Sequence, residues 1–221
     1  MNTQQLKNTI LQEAIQGRLV PQDPTDEPAS VLLQRIRKEK EQLVKEGKLK
    51  KKDLESKPIG DDEIPFEIPK GWEWVRLNNI CWLVNGNKSN GESLPNLDAK
   101  YLRGKSSATY LKSGVVVVPS QKVILVDGEN SGEVFDVPQR GYLGSTFKIM
   151  EIVSVIYEQY LDILLLKFKD LFRNNKKGAA IPHLNKDIFN NLPVPLPPLP
   201  EQHRIVAKIE DLFAQIDKLK V

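Results

Sequence analysis

Chemistry-bearing residue types are scarce in this chain. Of 221 residues, one is cysteine (Cys81) and two are histidine (His183 and His203). A single thiol excludes an intramolecular disulfide, and so small a Cys and His complement argues against a structural zinc site. Aromatic residues make up 7% of the chain, and no long uncharged apolar run occurs. The most apolar stretch, Leu161 to Leu166, is interrupted by Asp162, so a membrane span is not expected. Met1 to Glu13 is polar and helical in pattern; no secretory leader is expected, and the reading is cytoplasmic. A phosphate loop, a Gly-x-Gly-x-x-Gly dinucleotide turn and the Asn/Asp-Pro-Pro-Tyr/Phe pattern of adenine methyltransferases are all missing. Asp23, Glu46 and Lys48 can be forced into a nuclease-type carboxylate and lysine set, but the helix-stopping Gly47 separates the last two. A structural role is expected of His183, in a loop, and an exposed or capping one of His203, in a first helical turn. With no nucleophile beside a base, no catalytic residue and no metal ligand is assigned.

What is present is ordinary globular material, 40% hydrophobic and 28% charged. The net charge of +3 is too small to argue for nucleic acid by itself. Its distribution is uneven: Arg35 to Lys57 holds ten Lys or Arg against five Asp or Glu. A solvated helix end and linker is one reading of this run, phosphate contact the other.

Apolar spacing predicts a helix over about 3–16, with Leu6, Ile10, Leu11, Ala14 and Ile15 on one side and Gly17 as its stop. A second helix over about 28–46 carries Leu32, Leu33, Ile36, Leu43 and Val44 inward and stops at Gly47. Residues 48–65 read as a linker by composition. Strand-like runs follow at Glu73–Leu77, Cys81–Val84, Val115–Pro119, Val123–Val126, Val134–Val137 and Phe147–Met150. Asp127-Gly128 suits a hairpin turn between the fourth and fifth of these. Val153 to Lys169 and Lys186 to Asn191 read as helices. Five prolines between Pro193 and Pro200 then hold the backbone extended, and a helix starts at once behind Glu201. In it Ile205, Ile209, Leu212, Ile216 and Leu219 recur at spacings of 4, 3, 4 and 3, a heptad seam that needs a partner helix. The fold class is α+β: one β-rich domain over 66–196, flanked by helices within 1–57, a linker at 58–65 and a coiled-coil helix over 197–221.

Two long motifs at opposite ends carry a family resemblance. Pro197-Pro198-Leu199-Pro200-Glu201-Gln202 with Arg204-Ile205-Val206 resembles the segment joining a target recognition domain to a conserved helix in the DNA-specificity (S) subunits of type I restriction-modification systems. Leu6 to Asp23, with Asp26 to Ser30 and Leu33 to Lys40, is similar to the far end of that family's helical region. Ile68 to Trp74 and Gly178 to Pro182 match more loosely. The resemblance implies a non-catalytic subunit, here a half-length form with one target recognition domain. It would read half of a bipartite site in double-stranded DNA and dock methyltransferase (M) and restriction (R) subunits. S-adenosylmethionine, ATP and Mg would bind those partners and no cofactor would bind this chain. Helix 6–15, from the same chain or a second copy, would cover the seam through Leu6, Ile10 and Ala14. Two copies would then form a pseudo-complete S subunit, the competing form being a truncated half that needs another.

Base edges are read by Arg or Lys on guanine and Asn or Gln on adenine, and phosphates by Lys, Arg, Ser, Tyr and backbone N–H groups. Polar loops offering these groups hold Asn87, Lys88 and Asn90; Arg103 and Lys105; Ser120, Gln121 and Lys122; Arg140 and Tyr142; and Lys176 and Lys177. An ordinary hydrophilic connection is the plainer reading of any single one. Trp72, Trp74 and Trp82 read as core, since they punctuate strand-like runs. Two rival readings are a self-contained nuclease or methyltransferase, and an adaptor offering Pro193 to Pro200 as a proline-rich ligand.

Overall fold

The computed structural model describes residues 2–178 and 182–218. Its contacts divide the chain into two compact units. The first contains residues up to Ile80, Val153–Phe168 and everything from Asn190; the second contains Cys81–Ile152 and Lys169–Phe189. The continuous stretch 66–196, expected as one domain, is thus shared between them. Helix and strand mix in the predicted α+β manner.

In the first unit, α1 (Thr3–Ile15) opens with a capping box in which Asn2 and Gln5 bond each other's backbone. It ends where Gly17 turns to φ +69 and Arg18 N–H reaches back to Glu13 O at 2.9 Å. A side chain at position 17 would also strike the Pro69 ring, 2.2 Å from an added Cβ. Helix α2 (Ala29–Lys45) buries Ala29, Leu32 and Ile36 together with Lys40, whose ammonium donates to the Asn78 carbonyl at 2.9 Å. The supposed linker is tied down: Arg76 is buried and donates to the carbonyls of Lys57 and Pro58 and, through both terminal nitrogens, to Glu63 at 2.6 Å.

Strand β1 (Glu73–Arg76) leads into the single turn α3 (Leu77–Ile80). The proline run is a strand as well as a strap. Pro193–Leu196, the last strand of the chain, pairs antiparallel with β1, Arg76 facing Pro193 and Trp74 facing Pro195. Alternation explains how proline is tolerated there. The Leu192 carbonyl accepts from Leu77 N–H on the β1 side, whereas the Pro195 carbonyl turns away to accept from Tyr160 Oη at 3.0 Å. Residues 193 and 195 share that outward edge, where no N–H is required. The last helix, Leu199–Lys218, starts directly afterwards.

The second unit is the β-rich one. Strands β2 (Cys81–Val84), β5 (Lys122–Leu125), β6 (Val134–Asp136) and β8 (Phe147–Ile152) form a four-stranded antiparallel sheet in the order β2-β8-β5-β6. The predicted β5–β6 hairpin is present, with Val123 opposite Phe135. Strands β3 (Lys88–Leu97), β4 (Tyr110–Val117) and β7 (Gly141–Leu143) pair mutually and close a small ring. Between β3 and β4 lies the short helix α4 (Ala99–Leu102), capped by the Asp98 carboxylate. Leu97, Val117, Val123, Leu125, Leu143, Phe147 and Ile149 form the core. Helix α5 (Glu158–Asn174) starts later than position 153, because side-chain acceptors hold its lead-in: Glu39 takes Ser154 N–H at 2.7 Å and Gln202 takes Tyr157 N–H at 3.0 Å. Helix α6 (Lys186–Asn191) follows; the Pro193–Leu196 strand is β9 and the last helix α7.

The heptad seam has its partner in the same chain. Helices α1 and α7 pack together, burying Ile10, Leu11, Ala14 and Ile15 on one and Ile205, Ile209 and Ile216 on the other. Lys7 ties them, 2.9 Å from the Asp217 carboxylate and 4.7 Å above the Phe213 ring. Leu6 and Leu212 are half-buried. Leu219, predicted for the seam, lies outside the described residues, as do Ala179, Ala180 and Ile181 of the loop motif.

Candidate nucleic-acid interface

All twelve predicted DNA-contacting residues fall in the second unit, but the structure sorts them. Asn87 is exposed in the short link between β2 and β3, at a turn made by Gly86 with φ +70. Lys88 and Asn90 are exposed as well, although they stand on β3 rather than in a loop, opposite Val115 and Ser113 of β4. The pairing slips between Asn90 and Leu94, where Gly91 takes φ +97. A bulge of this kind re-aims the side chains around it.

Ser120 is exposed with φ 75, a left-handed conformation uncommon for a residue with a side chain. Gln121 closes the same turn, its side-chain oxygen accepting from Val118 N–H at 2.9 Å. Arg140 is exposed beside β7 and donates to Glu92 at 2.9 Å, a partner that holds its guanidinium above the ordinary arginine range. Lys177 pairs with Asp187, and its backbone exchanges two hydrogen bonds with His183. His183 in turn sits 2.7 Å from the Asp127 carboxylate, a structural tie as expected. His203 stacks on Tyr157 with ring centroids 3.7 Å apart in the first unit.

Two expectations are corrected. Tyr142 is fully buried, its hydroxyl donating to the Glu92 carbonyl at 3.0 Å, because the Gly141–Leu143 segment is a strand rather than a turn. Lys122 is buried on β5 with its ammonium on Asp136; its aliphatic stem fills space while its charge is already matched. Neither side chain is placed to touch a duplex. Asp23, Glu46 and Lys48 are spent locally, Asp23 on Thr25 and Glu46 on Lys48 at 2.8 Å.

Arg103 and Lys105, beyond α4, belong to a cavity that sequence reasoning missed. Asn130, Ser131, Glu133, Lys169 and Arg173 also line it. Arg103 donates to Glu133 at 3.0 Å, which raises the arginine pKa, and Arg173 donates to the Asn130 side chain. Lys169 ends the stretch read as a helix, and Arg173 lies on the further turn by which α5 outruns that reading. Only folding brings the polar end of α5 to the turn after β5. Lys176, predicted from the adjoining basic cluster, donates to the Glu129 carbonyl at 2.9 Å.

Residues 69–220 match the model of the family described as the type I restriction modification DNA specificity domain. The chain belongs to this family. Curated members give the same answer. The type I restriction enzyme EcoAI specificity subunit of Escherichia coli is 34% identical over 97% of this chain and 40% of its own length. The EcoEI specificity subunit of Escherichia coli is 34% identical over 97% of this chain and 41% of its own length. The chain therefore spans about two-fifths of these specificity subunits. In fold it is similar to the HsdS subunit from Thermoanaerobacter tengcongensis, with a TM-score of 0.53 and 22% identity over 87% of this chain and 50% of that one. A chain from a structure titled for complex assembly and conformational transition of the type I R-M system gives a TM-score of 0.55 at 21% identity, covering 97% of this chain and 52% of its own. No described helix of this specificity-domain protein is long and apolar enough to cross a membrane. Among the described residues no group of three His, Cys, Asp or Glu is placed to hold a metal ion.

Proposed function

We propose that this chain is the sequence-reading part of a type I specificity subunit: it binds double-stranded DNA, reads one half of a bipartite site through its second unit, and docks methyltransferase subunits. The observation that carries the reading is the family match across residues 69–220, which spans the exposed polar set Asn87, Lys88, Asn90, Ser120 and Arg140. Bidentate amide and guanidinium groups of this kind distinguish adenine and guanine in the major groove. The chain carries no catalysis in this scheme. Adenine methylation and ATP-dependent cleavage belong to the M and R partners, which bind S-adenosylmethionine, ATP and Mg. The α1–α7 pair supplies the helical spacer on which those partners dock. A second copy, or a second half of another specificity subunit, provides the other recognition element, and two identical copies read a palindromic interrupted site.

The test is co-expression with an M subunit of the same system, followed by mapping of adenine methylation on random DNA. A defined bipartite motif supports the proposal, and a palindromic one supports two copies. Stable complexes that methylate no defined motif would refute sequence reading by this chain alone and favour the half-subunit form.

A further inference from the structure

Besides the exposed set on β3 and near β7, the second unit holds a cavity of about 370 Å3. Arg103, Lys105, Lys169 and Arg173 line it against the single carboxylate of Glu133, so the wall carries a clear excess of positive charge. Three separate segments supply it: the turn after α4, the turn between β5 and β6, and the end of α5. Glu133 occupies Arg103 and Asn130 occupies Arg173. Lys105 and Lys169 are exposed and hold no side-chain partner among the described residues. Ser131, from the same turn, lines the cavity with its side chain buried and its hydroxyl oxygen lacking a hydrogen-bond partner. Like charges gathered on one wall repel unless an anion joins them, and an orphaned hydroxyl costs free energy until an acceptor reaches it. Guanidinium, ammonium and hydroxyl donors converging on one small volume are the donor set of a tetrahedral oxyanion.

We infer that this cavity seats one backbone phosphate of double-stranded DNA, a sequence-independent contact distinct from the base-reading side chains. The inference rests on the proposed function above. Lys105 and Lys169 supply the attraction. Glu133 holds Arg103 in place and competes with the phosphate for it, so loss of that carboxylate strengthens the contact. Register on the duplex comes from such phosphate contacts, and sequence preference from elsewhere.

The experiment is a fluorescence-anisotropy titration of the full chain, with its M partner, on two unrelated mixed-sequence duplexes across a salt series. The proteins are wild type, Lys105→Ala with Lys169→Ala, Glu133→Gln, and Glu41→Gln as a control that removes an equal charge from the first unit. Filling one phosphate site contributes about 0.9 to the slope of log K against log salt. The double variant should therefore lose about 0.9 of slope, and about tenfold in affinity at low salt, equally on both duplexes. Glu133→Gln should tighten binding more than Glu41→Gln does. An unchanged slope in the double variant, with wild type still binding, overturns the inference and leaves the proposed function standing. Wild-type protein that binds neither duplex overturns both. Inorganic phosphate separates the remaining source: 31P line broadening lost in the double variant, with an unchanged DNA slope, assigns the cavity to free phosphate and overturns the DNA assignment.

Discussion

The indole N–H of Trp72 donates to the buried carboxylate of Glu201 at 2.8 Å. Gln22 donates to the other carboxylate oxygen at 2.6 Å, and one helical turn on Arg204 grips Asp26 at 2.6 Å. Residues from the N-terminal motif, the Ile68–Trp74 motif and the proline–helix junction thereby meet in one polar cluster. Glu201→Ala should destabilise the first unit by about 1–3 kcal/mol, because the buried Trp72 indole N–H loses its acceptor. A double-mutant cycle with Trp72→Phe should return a coupling of about 1 kcal/mol in denaturant unfolding. Additive effects would show that the bond contributes nothing.

The Glu63 carboxyl has the opposite electrostatic character. Arg76, joined by the Gly60 N–H, holds its pKa down to about 2 from an ordinary 4.5. A depressed folded value means that the pairing contributes stability above pH 4.5 and loses it as pH falls from there through about 2. Glu63→Gln should flatten that limb of a plot of urea midpoint against pH. For Glu201, burial pushes the carboxyl up, so its ionisation weakens folding as pH rises through its folded value. An acid limb in Glu63→Gln as steep as that of wild type would rule out Glu63 as its source.

Much of this architecture is written in local pattern. Gly17 and Gly47 end their helices where predicted, and both take positive φ. The β5–β6 hairpin forms where predicted, although its connection runs over residues 126–133 and Asp127 bridges to His183 instead of making a tight two-residue turn. Short strands were the hard part. Lys88 to Leu97 lacks a strand-like alternation, being exposed through its first half and buried only from Leu94, so Lys88 and Asn90 read as loop residues. Gly141–Leu143 is a three-residue strand formed only because β3 and β4 flank it, and Tyr142 looked like a turn residue until that pairing existed. The cavity of Arg103, Lys169 and Arg173 was illegible for a related reason. Its members are far apart in sequence, and only the tertiary fold assembles them.

Packing of α1 on α7 should depend on the buried isoleucines of the seam. Ile209 and Ile216 are both buried, and a carboxylate placed at either position is taken out of water. Replacing both by Asp should release α1, at a cost of about 3 kcal/mol or more, seen as loss of helical signal and rapid proteolysis within residues 3–15. Multi-angle light scattering of both proteins separates the arrangements. A fall in mass on substitution places a second copy on the seam; a monomeric mass in both confines the seam to one chain.

Tyr142 and Arg140 are two residues apart, and they should separate stability from specificity. The Tyr142 ring is enclosed by the β3–β4–β7 ring of strands, and a Cβ added to Gly114 would come within 3.0 Å of it. Tyr142→Phe keeps that packing and removes one hydrogen bond to the Glu92 carbonyl, a loss of about 1 kcal/mol. The methylated motif should not change. Arg140 contributes only an exposed pair with Glu92, which adds little to folding. Arg140→Ala should leave the denaturation midpoint unmoved and relax the preference at one position of the motif, by about 1–3 kcal/mol if it reads guanine. A motif altered by Tyr142→Phe but not by Arg140→Ala would put the reading surface on the other face of this sheet.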